Sequence, residues 1–398
     1  MRTAAQHVSL LLLLLVSMAA VRSTAGVQQG QWYSVMDFHA AGDGATSDVE
    51  AFEETWKVAC SSHSSEVIMY VHPRRKGKTF LLNQTRFNGP CKSPITVQLE
   101  GDVVAPNSFY LKPSDVLTFY GVDNLTVNGS GQIDGRGAQW WDCYNQKSLS
   151  FAHCNNLRVT NIRLKDGVEK NMIMYECTQV QVHNVSITAP GDSPNTDGVN
   201  MGSSNHVNIS SCSMHTGDDC VSILSGTTNV NVTNTTCGPG HGISVGSLGG
   251  VADGPTLVEK ITVSNCSFFN TTTGVRIKSW QALATGFLFI KLRMTAVRLP
   301  IDIDQFYCPQ GNCPPQDGGV AITDARFVDI QGTSSEREAI KIMCSKSVPC
   351  HDIYLKNVNL SWGQPHCPGT SYCSECPWKR HGNGEATNTV CWQLITSR

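Results

Sequence analysis

Leu157-Arg158-Val159-Thr160-Asn161 is one copy of an apolar-x-apolar-x-Asn pattern whose recurrence decides the fold. It returns as Val180-Gln181-Val182-His183-Asn184, as Val230-Asn231-Val232-Thr233-Asn234 and as Ile261-Thr262-Val263-Ser264-Asn265. Val207-Asn208-Ile209-Ser210-Ser211 is a variant ending in serine, and Ile353-Tyr354-Leu355-Lys356-Asn357 is a late copy. From Leu157 to Ile261 the copies are spaced by 23, 27, 23 and 31 residues. Alternation with β-branched residues predicts short strands with one face buried. A repeat of this length built from strands predicts an all-β solenoid, in which each coil buries its inner face only by stacking on its neighbours.

The asparagine that closes each copy has two readings. It can sit at an inward turn, where stacked amides bond from coil to coil, or it can simply favour a turn. The first predicts that Asn184, Asn234 and Asn265 carry no glycan, although each begins an Asn-x-Ser/Thr sequon. Solenoid ends need cover. The segment from Asp48 to Cys60 places Val49, Phe52, Trp56 and Ala59 on one helical face. It is predicted as a short N-terminal capping helix. The Cys-rich stretch 344–398 is predicted as the C-terminal cap.

Arg2, the apolar run from Leu10 to Val16 and the small residues Ser23-Thr24-Ala25 read as a secretory signal peptide over 1–25. No later stretch reaches the ~18 apolar residues of a membrane span. Secretion agrees with 17 cysteines, read mainly as disulfide staples, with the odd count leaving at least one unpaired. Cys373-Ser374-Glu375-Cys376 lacks the second pair that a zinc site would need. No linker interrupts the chain, so residues 26–398 are expected to form one domain. Without residues 1–25 the formal charge is 28 − 32 = −4. That balance argues against a nucleic-acid surface. It leaves room for a local basic clamp on an anionic sugar.

The chemistry-bearing residues follow in order. They are Asn195-Thr196-Asp197-Gly198, then Gly217-Asp218-Asp219-Cys220, then Gly240-His241-Gly242, then Arg276-Ile277-Lys278. Glycoside hydrolysis needs one protonated carboxyl and one ionised carboxyl. Asp197, Asp218 and Asp219 supply three, and in a crowded trio one acid should keep its proton to higher pH. His241 can tune a neighbouring acid. Arg276 and Lys278, two residues apart, project to one face of a strand and can clamp a substrate carboxylate. Each motif also has a plain reading. Asp beside Gly is a turn residue, Asp-Asp can be a calcium ligand pair, a His between glycines is loop, and two cations can be a solvated pair.

Together these motifs resemble the plant-type polygalacturonases of glycoside hydrolase family 28. The resemblance rests on Ser193-Pro194-Asn195-Thr196-Asp197-Gly198, Gly217-Asp218-Asp219-Cys220, Gly238-Pro239-Gly240-His241-Gly242-Ile243 and Arg276-Ile277-Lys278. Val35-Met36-Asp37-Phe38 and Ile303-Asp304-Gln305-Phe306-Tyr307-Cys308 extend it, so that it spans about residues 30 to 360. It implies a single-stranded right-handed parallel β-helix that hydrolyses α-1,4-galacturonosyl bonds of pectin with inversion. In that scheme Asp218 is the general acid, Asp197 and Asp219 activate water, and His241 supports the acid. Asn195, Arg276, Lys278 and Tyr307 would bind substrate. The resemblance also implies a Cys220–Cys237 disulfide, no metal or other cofactor, a monomer, and a place outside the cell or in its wall. Ser279-Trp280-Gln281 after the clamp departs from the glycine-rich family pattern. Two alternatives stand beside this reading: a calcium-dependent lyase on the same fold, and an inactive pectin-binding wall protein.

Overall fold

The computed structural model describes residues 30–73, 78–107, 115–141, 148–249, 257–279, 283–308, 321–363 and 370–374. The expected signal peptide therefore lies outside the described residues, as does the tail beyond 374. Among the described residues no helix is long and apolar enough to cross a membrane.

The repeats stack in register as parallel strands. Leu157 pairs with Val180, Val180 with Val207, Val207 with Val230 and Val230 with Ile261. The column continues through Phe287 and Ala325 to Ile353. These side chains and their neighbours two residues on, from Val159 to Phe327, are buried. The chain is a right-handed parallel β-helix. One sheet has eleven strands, from Thr85–Asn88 to Thr370–Ser374, and the remaining strands form a 21-stranded array.

The asparagines sit differently from the inward ladder expected of them. Asn161, Asn184, Asn234 and Asn265 all adopt left-handed backbone, with φ between 50 and 64°, a conformation that Asn tolerates better than most residues. All four are exposed. The next residue turns inward instead: Ile162, Val185, Thr235 and Cys266 are buried. A partial ladder does form on the outer surface. Asn184 Nδ2 donates to Asn161 Oδ1 (2.8 Å), and Asn161 Nδ2 donates to Asn128 Oδ1 (2.9 Å). The burial that was to keep glycans off Asn184, Asn234 and Asn265 is absent.

Near the N-terminal end, a helix spans Val49–Ser61 and buries Phe52, Trp56 and Ala59. Trp56 stacks on Phe87 with centroids 4.6 Å apart, and Phe119 stacks on Phe151 at 5.3 Å. Each buried Phe is worth roughly 1.5–3 kcal/mol relative to exposure. The Cys60–Cys91 disulfide ties the helix end to the coils. At the other end a Cys344–Cys350 bridge forms as a staple. Strands His351–Trp362 and Thr370–Ser374 continue both sheets beyond it. The solenoid thus runs on into the region expected to be its cap.

Candidate active site

The eleven-stranded sheet carries the site. Asp197 precedes strand Val199–Gly202, Asp219 begins strand Asp219–Ile223, His241 precedes Gly242–Leu248, and Arg276 and Lys278 lie in Thr273–Ser279. These are consecutive strands of one sheet, so residues up to 81 apart in sequence, Asp197 and Lys278, reach one face.

A β-bulge solves the problem of adjacent acids. Asp219 pairs with Gly242, but Val221 pairs with Ile243, so Cys220 is one residue too many. Regular alternation would turn Asp219 inward with Val221. The extra residue resets the phase: Cys220 turns into the core, and Asp219 meets the outward groups Ser244 and Arg276. Asp218 stays in the preceding turn, its Oδ1 accepting from the Asp219 amide at 2.8 Å. Its own carbonyl accepts from the His241 amide at 2.9 Å. Gly240 is required here, because with φ 120° a Cβ would fall 2.5 Å from that carbonyl.

The same bulge bears on Cys220 and Cys237. The disulfide implied by the family resemblance is not formed, and both are buried free thiols. Cys220 Sγ is drawn inward, where it donates to the Met214 carbonyl at 3.7 Å. Burial, with the neighbouring Cys220 thiol, pushes the Cys237 thiol up.

Asp219 is the hub. Arg276 donates to its Oδ1 and Lys278 to its Oδ2, each at 3.0 Å, and the Ser244 hydroxyl donates at 2.6 Å. The Tyr307 ring lies over both cations, 5.8 Å from the guanidinium and 5.2 Å from the ammonium. His241 Nδ1 lies 2.7 Å from Asp218 Oδ1. Asp197 is almost fully buried and accepts from Asn200 Nδ2 at 3.2 Å. Asn195 is exposed at φ 54° on the turn before Asp197, and among the described residues no contact joins it to the acids.

The electrostatics separate the acids. Burial first, then the charge of Asp219, pushes Asp197 up to about 7, with Lys170 opposing. Burial also raises Asp218, but the His241 hydrogen bond and charge, helped by Lys278, outweigh it and leave its carboxyl below the ordinary value. The crowded trio thus does hold one proton to higher pH, at Asp197.

Oxygens of Asp218 and Asp219 and a His241 nitrogen lie within 4.8 Å of one another. This is the one such grouping among the described residues. A calcium site wants six to eight oxygen ligands. Here Asp219 already holds two cationic side chains and Asp218 holds a histidine, which suits acid–base chemistry better.

Asp302 was not singled out by sequence reasoning. It lies beside Arg276 on the next strand, is buried, and its Oδ1 has no hydrogen-bond partner. Burial first, then Asp304, pushes it up to about 6. The signal available was the alternation in Ile301-Asp302-Ile303-Asp304, which puts both acids on the clamp's face.

Residues 60–384 match the family described as Glycosyl hydrolases family 28. The chain belongs to that family. It is 39% identical over 381 residues to Polygalacturonase-2 of Solanum lycopersicum, covering 92% of this chain and 81% of that one. It is 34% identical over 371 residues to an Exopolygalacturonase of Zea mays, covering 89% of each. Among solved structures, this family 28 chain superposes on the endo-xylogalacturonan hydrolase of Aspergillus tubingensis with TM-score 0.76 and 23% identity. That match covers 87% of this chain and 96% of the other, and it shows the shared fold. The family 28 chain is thus a glycoside hydrolase.

Proposed function

We propose that this hydrolase is a polygalacturonase, cleaving α-1,4-galacturonosyl bonds of pectin outside the cell. The observation that carries the reading is Asp219 gripped by Arg276 and Lys278 beside the Asp218–His241 pair. Two cations converging on one carboxylate form a site that can equally take a uronate carboxylate.

The steps follow from that exchange. A substrate carboxylate takes Arg276 and Lys278, under Tyr307, and Asp219 is released from them. Asp219, ionised and released, then takes the proton of the attacking water, and Asp197, which keeps its own proton up to about pH 7, acts with it by holding that water in place. Neutralising Lys278 also removes one of the charges that hold Asp218 down. Asp218 can then keep the proton that it shares with His241 and deliver it to the leaving oxygen. Asp218 and Asp219 approach within 4.8 Å, close to the ~5–5.5 Å of retaining pairs. Inversion therefore requires the water to lie between Asp218 and Asp197, on different coils. The protein acts as a secreted monomer, with 1–25 removed as its signal.

Release of reducing ends from polygalacturonate tests the reading. Asp218→Asn should lower the rate by about 10²–10⁴, and equal release by parent and variant would overturn the assignment of the acid. The anomer formed first, read by proton NMR, tests inversion. A time course of product size separates exo attack, giving monomer from the start, from endo attack, giving a ladder of oligomers.

A further inference from the structure

The strand Leu299–Asp304 pairs with the clamp strand Thr273–Ser279. The register sets Asp302 beside Arg276 and Asp304 beside Lys278. On its other side Asp302 meets Lys341 of strand Glu338–Met343. Ile301 and Ile303 are fully buried in the core. Alternation therefore turns Asp302 to the outer face of the sheet, the face that Arg276 shares.

An outward acid is expected to be wet. Asp302 is only 8% exposed, and its Oδ1 has no hydrogen-bond partner. Asp304 differs, since its Oδ1 accepts from the Phe306 amide at 2.8 Å. A buried carboxyl is stable only when neutral or paired, so two states are open to Asp302. Protonated, it carries no charge and leaves Arg276 in place, with Nη2 3.0 Å from Asp219 Oδ1 and Nε 3.2 Å from Ser244 Oγ. Ionised, it needs a cation, and Arg276 stands on the adjacent strand, ~4.8 Å away along the sheet.

The surrounding charges set the balance. Arg276 and Lys278 face Asp302 from one strand and Lys341 from the other. Asp304 lies on its own strand, and Arg298, itself 3.8 Å from Glu336, precedes that strand. Asp219 meets Arg276 from the far side. Burial first, then Asp304, keeps the proton on Asp302, while Arg276, Lys341 and Arg298 favour its loss. The carboxyl is pushed up to about 6, so it changes state in a range where a solvated Asp stays ionised.

We propose that Asp302 is a positioning residue for Arg276, competing with the substrate's carboxylate for that guanidinium and so setting how tightly a uronate is held. The choice of ligand rests on the polygalacturonase reading. With Asp302 neutral, Arg276 and Lys278 both turn to the uronate. With Asp302 ionised, Arg276 is drawn along the sheet and Lys278 grips with less help. Binding therefore weakens as pH rises through the Asp302 transition.

The test is calorimetric binding of trigalacturonate on an Asp218→Asn background, which turns substrate over slowly, with Asp302 kept or with Asp302→Asn or Asp302→Ser added. Between about pH 5 and about pH 7 the dissociation constant should rise about tenfold more with Asp302 than with either neutral residue, as the competent fraction falls to roughly a tenth. The Asp197 titration is common to all three proteins and cancels in the ratio. A ratio that stays constant with pH would mean that Asp302 merely fills space, and the proposal would fail. In ¹⁵N NMR the Arg276 Nε resonance, identified by its loss in Arg276→Lys, should shift with a midpoint near pH 6 in the parent and hold still in Asp302→Asn. A parent resonance that does not move would overturn the proposal and assign Asp302 to Lys341. A shift that vanishes in Asp302→Asn, with no trigalacturonate bound at either pH, would instead sink the polygalacturonase reading and leave the hold of Asp302 on Arg276 standing.

Discussion

Lys278 Nζ lies 3.0 Å from Asp219 Oδ2, and both side chains are nearly fully buried. The cation expected to hold the substrate thus already holds a catalytic carboxylate, and the two functions are linked. Breaking a buried pair from one side leaves an uncompensated charge, at about 3–5 kcal/mol. Lys278→Met should destabilise the fold by less than that, because Arg276 and Ser244 still hold Asp219, and the Lys278→Met/Asp219→Asn double should lose less than the sum of the two singles. Urea unfolding of the two singles and the double gives the coupling. Additive effects would mean that the pair is not what anchors Asp219.

His241 holds Asp218 below the ordinary carboxylate range against the pull of burial. In His241→Gln the Asp218 pKa should therefore rise. Carbon NMR of ¹³C-labelled aspartate, titrated in parent and variant, reads this directly. An unmoved Asp218 resonance would show that Lys278 and the Asp219 amide suffice.

Asp197 is held up at about 7 by burial and by Asp219. A carboxyl raised above its unfolded value contributes stability below that value and loses it as pH rises through the folded one. The loss should run from about pH 4 to about pH 7, on the order of 4 kcal/mol. Asp197→Asn should melt like the parent near pH 4 and later than the parent near pH 8. Asp302, raised to about 6, gives Asp302→Asn the same sign over a narrower window. Melting curves at the two pH values decide both.

Asn184, Asn234 and Asn265 are exposed sequons on left-handed turns. Expressed through a eukaryotic secretory host, the protein should carry glycan on them. Peptide mass spectrometry that finds all three bare would count against their exposure.

How much of this was legible beforehand differs residue by residue. Leu157, Val180, Val207, Val230 and Ile261 announced a stacked register through period and spacing, because a strand's buried face is a local property of alternation. Phe52, Trp56 and Ala59 announced a helix face for the same reason. Of the two readings of Asn161 and its equivalents, the plain turn holds and the inward ladder does not, because a recurring Asn marks a left-handed turn without saying which way its side chain points.

Asp197, Asp218, Asp219, His241, Arg276 and Lys278 could be picked out in the sequence by residue type, order and family likeness. Their arrangement could not. The phase reset at Cys220 depends on which residue of the next coil pairs with Asp219. The grip of Arg276 and Lys278 joins residues 57 and 59 positions from Asp219. The raised Asp197 and the orphaned Asp302 oxygen exist only once neighbouring coils exclude water or align side chains. Alternation and repeat length are written along the chain, whereas desolvation and charge proximity are properties of the stack.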